Sequence, residues 1–367
     1  MRITVIGAGH GGQAMAAHLS LMGQEVCLYN RSPEPMAALR ATGGIQVEGA
    51  VQGYARLGNI TSDMSEALTG ADLIMVCVPA SAHIWVAEAC APHLHKGQII
   101  VLNPGRTGGA LEFRNVLSAT GFAPDVVVAE TQTFIYASRR ASPGHCRIFR
   151  IKHSVPLAAL PATQTEKVIR RLKPVFPQFI PASSVLKTSL DNIGAMFHPV
   201  ITILNAGRIE DTSGDFQFYL EGVTPSIARM IEAVDRERVA VAQALHVRAM
   251  SALEFLEMAY GKHAGTLYEA MRGNEAYMGL LAPRILRHRY LFEDIPTGLV
   301  PMASIGRMLG VATPNLRAMI QMASELLEAD FWETGRTVEK LGIAGATVDQ
   351  ISHYVLEGGM PAWNRRL

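Results

Sequence analysis

Gly7, Gly9 and Gly12 stand at the spacing G-x-G-x-x-G, directly after the apolar run of residues 1–6 and directly before the helix-like run of residues 13–19. Each position has its own reason to lack a side chain: the first permits a tight turn, the second lets a pyrophosphate approach the backbone, and the third lets helix and strand pack closely. The free amides and positive dipole of the helix start then face the phosphates, with His10 inside the same turn. Strand, glycine turn and helix in this order are the context a dinucleotide site needs; the bland alternative is a plain strand-to-helix turn. Nicotinamide chemistry also needs a proton donor or acceptor, and histidine titrates in the useful range. Among the 12 histidines, His198 is polar within an otherwise apolar helical stretch and immediately precedes Pro199. Proline removes a helical hydrogen bond and disfavours helix at the residue before it, so a kink with polar groups to satisfy is expected there. Thr202 and Asn205 share the His198 face at i+4 and i+7. From these residues alone His198 is either catalytic or a core histidine satisfied by a carbonyl. A catalytic histidine needs a carboxylate partner, and several acids remain open. Asp294 ends the aromatic run from Tyr290 at a turn, where an ordinary turn or cap residue is the competing reading. His145, His246 and His288 lie in polar, unpatterned contexts and are set aside.

The elements that must position these groups follow from periodicity. Residues 25–29 predict a second strand, which ends at Asn30-Arg31-Ser32-Pro33 and leads into a helix over 34–40. An NAD site expects an acid near the end of this strand, about 20 residues past the glycines, to accept from the ribose 2′-hydroxyl. Asn30 stands there instead, followed by Arg31 and Ser32. An amide, a guanidinium and a hydroxyl suit a 2′-phosphate, so NADP is favoured over NAD; the competing reading makes them solvated turn residues. Residues 43–57 predict a small hairpin or irregular excursion. Residues 72–79 and 99–102 are continuous apolar runs of the kind buried on both faces of a parallel sheet. Ligands of such sheets gather at the carboxyl ends of the strands. Val78, Pro79, Asn103, Gly105 and Glu130 are therefore expected at the cofactor. Further strands are expected within 145–160 and a helix over 164–172, after which Pro174, Pro177 and Pro181 mark a boundary.

The expected architecture is α/β: a doubly wound parallel sheet over residues 1–182, followed by an all-α domain over 183–367. Beyond the boundary, 3.6-residue periods predict helices over 186–206, over 225–244 with Thr224 as cap and Pro225 in the first turn, and over 314–327 with Thr313 as cap. The glycine-containing stretch from Gly358 to the end is expected to be a loosely held tail.

Composition narrows the class of partner. The chain has 367 residues with 33 basic and 32 acidic side chains, so there is no electrostatic case for nucleic acid or an anionic membrane. A small molecule is the expected partner. Cys27, Cys77, Cys90 and Cys146 lie far apart, without metal-ligand spacing, and read as buried free thiols. With a strand beginning at residue 2 and no bilayer-length apolar run, the expectation is a cytoplasmic protein without a signal peptide.

Several stretches together resemble one family. They are Gly7–Gly12, Asn103-Pro104-Gly105 with Thr107 to Arg114, Thr188-Ser189-Leu190, His198-Pro199, Phe216-Gln217, Tyr219-Leu220-Glu221-Gly222 with Thr224-Pro225-Ser226, and Phe292-Glu293-Asp294 with Thr297 to Pro301. Spanning nearly the whole chain, they resemble the opine dehydrogenases, the bacterial norvaline-type members in particular. The resemblance implies a Rossmann domain followed by the family's helical domain, with the substrate in the cleft between them. It places His198 and Asp294 at the positions of the catalytic pair. It implies NAD(P)H-dependent condensation of a 2-oxo acid with the amine of an amino acid, through an imine, to a secondary-amine dicarboxylate. It also leaves room for a homodimer through the helical domain. Two carboxylates need cations or amides, and Arg208, Arg284, Arg287, Arg289 and Lys187 are available, beside Thr202 and Asn205. Asn30-Arg31-Ser32 departs from the acidic strand end of the norvaline-type enzymes, so cofactor preference need not carry over. The competing function is a plain 2-oxo acid or ketone reductase of the ketopantoate reductase kind, which needs no amine. A non-catalytic dinucleotide sensor would have no use for the histidine and aspartate.

Overall fold

The computed structural model describes residues 1–121, 125–260 and 264–359. Contacts divide the described chain into two units, Met1–Ser189 with residues 352–359, and Leu190–Ile351.

The first unit is built on strands β1 (Arg2–Ile6), β2 (Glu25–Tyr29), β3 (Gly44–Gly49), β4 (Gly53–Arg56), β5 (Asn59–Thr61), β6 (Leu73–Val76), β7 (Ile99–Leu102), β8 (Val127–Thr131), β9 (Tyr136–Ser142), β10 (His145–Ile151), β11 (Val155–Leu160) and β12 (Phe179–Pro181). Eight of them form one sheet in the order β12-β11-β8-β7-β6-β1-β2-β5. β1 pairs in parallel with β2 on one side and β6 on the other, so the winding reverses at β1. That reversal is the switch point where doubly wound sheets take their ligands. β6, β7 and β8 are buried along their whole length, which is why β6 and β7 are apolar without alternation, while β8 ends in the buried polar residues Glu130 and Thr131. The sheet departs from the all-parallel expectation at one pairing, since β11 runs antiparallel to β8.

The expected hairpin over 43–57 is present as β3 and β4, but it belongs to a second sheet, β4-β3-β10-β9, that the sequence did not announce. β9 reads Tyr-Ala-Ser-Arg-Arg-Ala-Ser with only its first residue buried, so no apolar face marks it as a strand. The helix His10–Leu21 packs against both sheets. Enclosure from two sides explains why Ala14, Met15, Ala16, Ala17 and Leu19 are all buried although they do not form one stripe.

The second unit is helical, with Gly194–Leu204, Pro225–Ala244, Val300–Leu309 and Pro314–Leu327 around one apolar core that includes Met196, Val200, Ile231, Leu299 and Ile320. The helix expected over 186–206 is in fact two, Val185–Leu190 and Gly194–Leu204. In the gap, Asp191 Oδ1 accepts the Met250 amide at 3.0 Å, a long-range bond in place of helix continuation. Residues 183–189 go with the sheet unit, where the Thr188 hydroxyl donates to Glu130 Oε1 at 2.6 Å. Thr224 caps its helix as expected, accepting from the Ile227 amide. Thr313 does not cap the next one. The carboxylate of Glu237 takes that place, accepting from the amides of Asn315 and Leu316 at 2.8 Å each. Arg238 is fully buried but paired, its Nε and Nη2 donating to Asp235 Oδ1 at 2.9 and 2.7 Å, as a buried charge requires. No helix among the described residues is long and apolar enough to cross a membrane. The expected tail lies, from residue 360, outside the described residues.

Candidate active site

In the sheet unit the glycine turn has the shape that its spacing predicts. The Gly7 amide donates to Tyr29 O at 2.8 Å, and φ there is +108°, a conformation open to glycine. A Cβ on Gly12 would lie 1.6 Å from Gly7 O, and one on Gly7 would lie 2.7 Å from Cys77 O and 2.8 Å from Val78 Cγ1. A Cβ on Gly9 would meet nothing within 4 Å. Tightness at the first and third glycines and open space at the second fit a dinucleotide pyrophosphate. The helix start adds to the fit: no side chain caps the helix at Gly9 and no acid sits in its first turn, so its positive dipole end faces no side-chain charge there.

The rim of the turn is tied down by side chains. Gln13, fully buried, donates to Ala8 O at 2.8 Å and accepts from the Gly144 amide at 3.2 Å. His10 Nδ1 accepts the Arg140 amide at 2.8 Å, which holds β9 beside the turn. Asn30 Oδ1 accepts the Ala8 amide at 3.1 Å while its Nδ2 donates to Ser32 O at 3.0 Å. Asn30 thus links the glycine turn to the end of β2. Arg31 and Ser32 are exposed beyond it, with the Arg31 guanidinium 5.1 Å from the centre of the Trp85 ring.

Two residues expected to face the cofactor are turned inward. Asn103 is buried and donates to Val101 O at 2.8 Å. Glu130 is fully buried; its Oε1 accepts from the hydroxyls of Thr188 and Ser189 at 2.6 and 3.0 Å, and its Oε2 from the Ala110 amide at 2.7 Å. These bonds join three segments of the unit and correct the expectation of a ligand-facing acid. Gly105 is small because Glu130 is there: a Cβ would lie 2.3 Å from Glu130 Oε2. Pro79 follows β6 as the lead-in to the short helical turn at Ala80.

The helical unit brings together what sequence could only place on separate elements. His198 Nδ1 and Asp294 Oδ2 are 2.6 Å apart, with the Asp294 side chain 2% exposed and that of His198 20%. A buried carboxylate fixes the imidazole with its proton on Nδ1 and stabilises the cation when it forms. Two local devices allow the approach. The helix Gly194–Leu204 continues through Pro199, so the expected disruption at His198 does not end it. Asp294 in turn precedes a π-helical turn, Ile295–Leu299, a wide turn that recurs at functional sites. Gly298 in that turn lies against the His198 helix, where a Cβ would sit 2.5 Å from Ala195 Cβ.

Aromatic rings complete the cluster. His198 stacks on Tyr290, with centroids 4.2 Å apart and planes at 15°, and His198 Nε2 lies 2.9 Å from the Tyr219 hydroxyl. Tyr219 stacks on Tyr277 at 4.2 Å. Burial and the Asp294 charge push the Tyr290 phenol up, against the pull of Arg289. His288, set aside in the sequence, caps the short helix Arg289–Phe292 and meets the Tyr290 ring edge-on at 4.5 Å. Burial, the most important cause, and the charges of Arg289 and His198 hold it below the usual histidine value, against the pull of Asp294. Tyr219, Tyr277 and Tyr290 carried no periodic signal; membership of the motif at 219–222 was the one clue for the first of them.

The remaining sequence candidates are engaged within the unit. The Thr202 hydroxyl donates to His198 O at 2.7 Å, and Asn205 Nδ2 donates to Ile201 O and Gly222 O at 2.9 Å each. Arg208 pairs with Glu221 at 3.0 Å and covers the Phe216 ring at 4.0 Å. Arg289 pairs with Glu293 at 2.6 Å, and Arg287 donates to Leu327 O. Asn205 and Arg208 thus tie the chain after the His198 helix to the loop that carries Tyr219, while Thr202 bonds within its own helix.

Comparison with known proteins separates the two units. Residues 181–327 match the NAD/NADP octopine/nopaline dehydrogenase alpha-helical domain, and residues 2–104 match the NAD binding domain of 6-phosphogluconate dehydrogenase. Over 344 residues the chain is 41% identical to an opine dehydrogenase of Arthrobacter sp. (strain 1C), covering 94% of this chain and 95% of that one. The chain belongs to the opine dehydrogenase family. Its fold is similar to that of octopine dehydrogenase solved with NADH and L-arginine, at a TM-score of 0.82 and 24% identity over 96% of this chain and 97% of that one. It is also similar to yersinopine dehydrogenase with NADP+ bound, at a TM-score of 0.74 and 16% identity over 98% of each. As a member of the opine dehydrogenases the chain is an NAD(P)-dependent oxidoreductase acting on a CH–NH bond.

Proposed function

We propose that this opine dehydrogenase joins a 2-oxo acid to the amine of an amino acid through an imine and reduces that imine to a secondary amine, with His198 and Asp294 handling the protons. The observation that carries the assignment of roles is the 2.6 Å pair itself, set in the helical domain by which the family is recognised. When bound, the nicotinamide supplies the hydride. The chain supplies the rest: Asp294 keeps the His198 proton on Nδ1, and the Nε2 side exchanges a proton as the carbonyl oxygen leaves as water. The apolar and aromatic surroundings of the pair strengthen these electrostatic effects by excluding water.

NADP is the preferred cofactor in this reading. Asn30 places no negative charge at the end of β2, and Arg31, set near Trp85, offers a guanidinium to a 2′-phosphate. The cytoplasm is the proposed compartment, supported by four cysteines without a disulfide among the described residues. The exposed side chains of Met278, Leu281 and Ile285 support a homodimer formed through the helical domain; equilibrium sedimentation reads its mass directly.

The deciding assay follows NADPH and NADH oxidation with pyruvate or 2-oxoglutarate, with and without a panel of amino acids. Oxidation that requires an amino acid is the expected result. Oxidation independent of any amine would make the protein a simple 2-oxo acid reductase. His198→Gln is expected to lower kcat by about 10²–10⁴-fold while leaving cofactor affinity unchanged.

A further inference from the structure

We propose that the Tyr219 hydroxyl, rather than the imidazole itself, delivers the proton to the substrate oxygen, and that His198 and Asp294 stand behind it to recharge it. The proposal rests on the reading of His198 and Asp294 as the proton-handling pair, and adds a third member to it.

The starting point is that both ring nitrogens of His198 already have protein partners. Nδ1 faces Asp294 Oδ2 at 2.6 Å and Nε2 faces the Tyr219 hydroxyl at 2.9 Å. With the carboxylate accepting from Nδ1–H, the neutral ring presents a lone pair at Nε2, and the hydroxyl is the donor there. When the ring is protonated the direction reverses. Nε2–H donates to the tyrosine oxygen, whose own proton can then pass to another acceptor. A substrate oxygen therefore reaches the imidazole directly only by displacing Tyr219.

Displacement is opposed by packing. Tyr219 is 8% exposed. Its ring stacks on Tyr277 at 4.2 Å and 19°, and meets the Phe218 ring edge-on at 5.0 Å. The loop that carries it is held at both sides, by Asn205 donating to Gly222 O at 2.9 Å and by the Phe218 amide donating to Leu280 O at 2.8 Å. His198 is clamped likewise by the stacked Tyr290 ring. Both partners in the 2.9 Å bond are thus held by rings and backbone bonds, and Phe218, which packs on Tyr290 as well, links the two sets.

The transfer balances without any group from outside. As the Tyr219 O–H bond breaks and a new O–H bond forms on the substrate oxygen, the His198 Nε2–H bond breaks and the tyrosine O–H bond is remade. The step ends with Tyr219 neutral and protonated, His198 neutral, and Asp294 still a carboxylate. Because the proton lost overall is the imidazolium's, the phenol ends the step as it began, and its own weak acidity does not set the cost of the transfer. A tyrosine can then serve at neutral pH although its own proton is weakly acidic.

The experiment compares wild type with Tyr219→Phe, which keeps the ring and its stacking, and with His198→Gln. Each is assayed in single turnover with NADPH, pyruvate and the amino acid that supports the fastest oxidation in the panel, in mixtures of H2O and D2O. NADPH affinity, read by fluorescence titration, reports that the fold is intact and is expected to be equal in all three. Tyr219→Phe is expected to lose about 10²-fold or more in rate. The wild-type rate is expected to fall as a curve with deuterium fraction, because two protons move together, and the residual rate of Tyr219→Phe along a straight line. A Tyr219→Phe rate within twofold of wild type, or a straight line for wild type, overturns the relay. If His198→Gln is inactive in that case, the pair stands and only the relay fails. Full activity of His198→Gln would instead remove the pair on which the relay depends.

Discussion

The glycine turn of the sheet unit and the histidine cluster of the helical unit are opposite ways of making a site. The turn is made of backbone, from residues that are neighbours in the chain, and its shape is enforced by contacts such as Gly12 against Gly7 O, where a Cβ would lie 1.6 Å away. The cluster is made of side chains on separate segments, His198, Tyr219, Tyr277, Tyr290 and Asp294, brought within hydrogen-bonding or stacking distance by helix packing. A backbone site tolerates almost no added atom but is indifferent to side-chain chemistry. A side-chain cluster keeps its fold when an atom is exchanged and loses its chemistry. The two should therefore fail differently.

The broadest effect is expected at Gly12→Ala, which should lose both affinity and fold stability. The added methyl cannot coexist with Gly7 O, so the helix must shift from β1 and dinucleotide affinity should fall at least about 100-fold, with a lowered Tm. Isothermal titration with NADPH beside a melting curve reads both. Unchanged affinity would mean that the turn does not hold the pyrophosphate. Asp294→Asn comes next and should behave inversely. The isosteric amide leaves cofactor affinity alone but no longer fixes the imidazole proton or stabilises its cation, and kcat should fall about a thousandfold. Loss of NADPH affinity in this variant would erase the contrast between the two regions.

Arg31→Ala tests the rim of the backbone site, where a side chain adds selectivity. NADPH affinity is expected to drop about tenfold and NADH affinity to stay within about twofold, because only the former has a 2′-phosphate. Equal losses for both would move the selectivity elsewhere.

The last effect is one of stability. Burial, reinforced by the Arg106 charge, pushes the Lys152 ammonium down from 10.5 to about 8, although its Nζ donates to Thr133 Oγ1 at 2.7 Å. The folded value lies below the unfolded one, so the unfolded state binds the proton more tightly. The group therefore costs stability at every pH below about 8, and the cost fades as pH rises from about 8 towards 10.5. Lys152→Met should stabilise the sheet unit at pH 7 by on the order of 2–3 kcal/mol and bring little gain near pH 10.5. Urea melts at the two pH values check the sign.

How much of this was legible in the sequence follows the same division. Strands β1, β2, β6 and β7 and the helices 225–244 and 314–327 were readable because each carries its own apolar pattern. β9 was not, since its residues are polar and its strand form depends on pairing with β10. The cap of the 314–327 helix was misplaced on Thr313 because the actual acceptor, Glu237, lies 78 residues away from Asn315. Glu130 looked like a ligand-facing acid at a strand end. Only the arrival of Thr188, Ser189 and the Ala110 amide at its oxygens shows that the carboxylate is engaged inside the unit.

By itself the sequence marked residues 7–12 as a dinucleotide-type glycine turn, because steric exclusion around glycine acts over a few neighbouring residues and leaves its mark in their spacing. It also marked His198 and Asp294 as candidates, through the family resemblance more than through their own surroundings. What the tertiary structure decided is that these two meet at 2.6 Å and that the other face of the imidazole belongs to Tyr219. The reason is that the direction of a side chain across 96 residues of intervening chain is set by how helices pack, with a π-helical turn and a glycine at the crossing, and no local pattern records that packing.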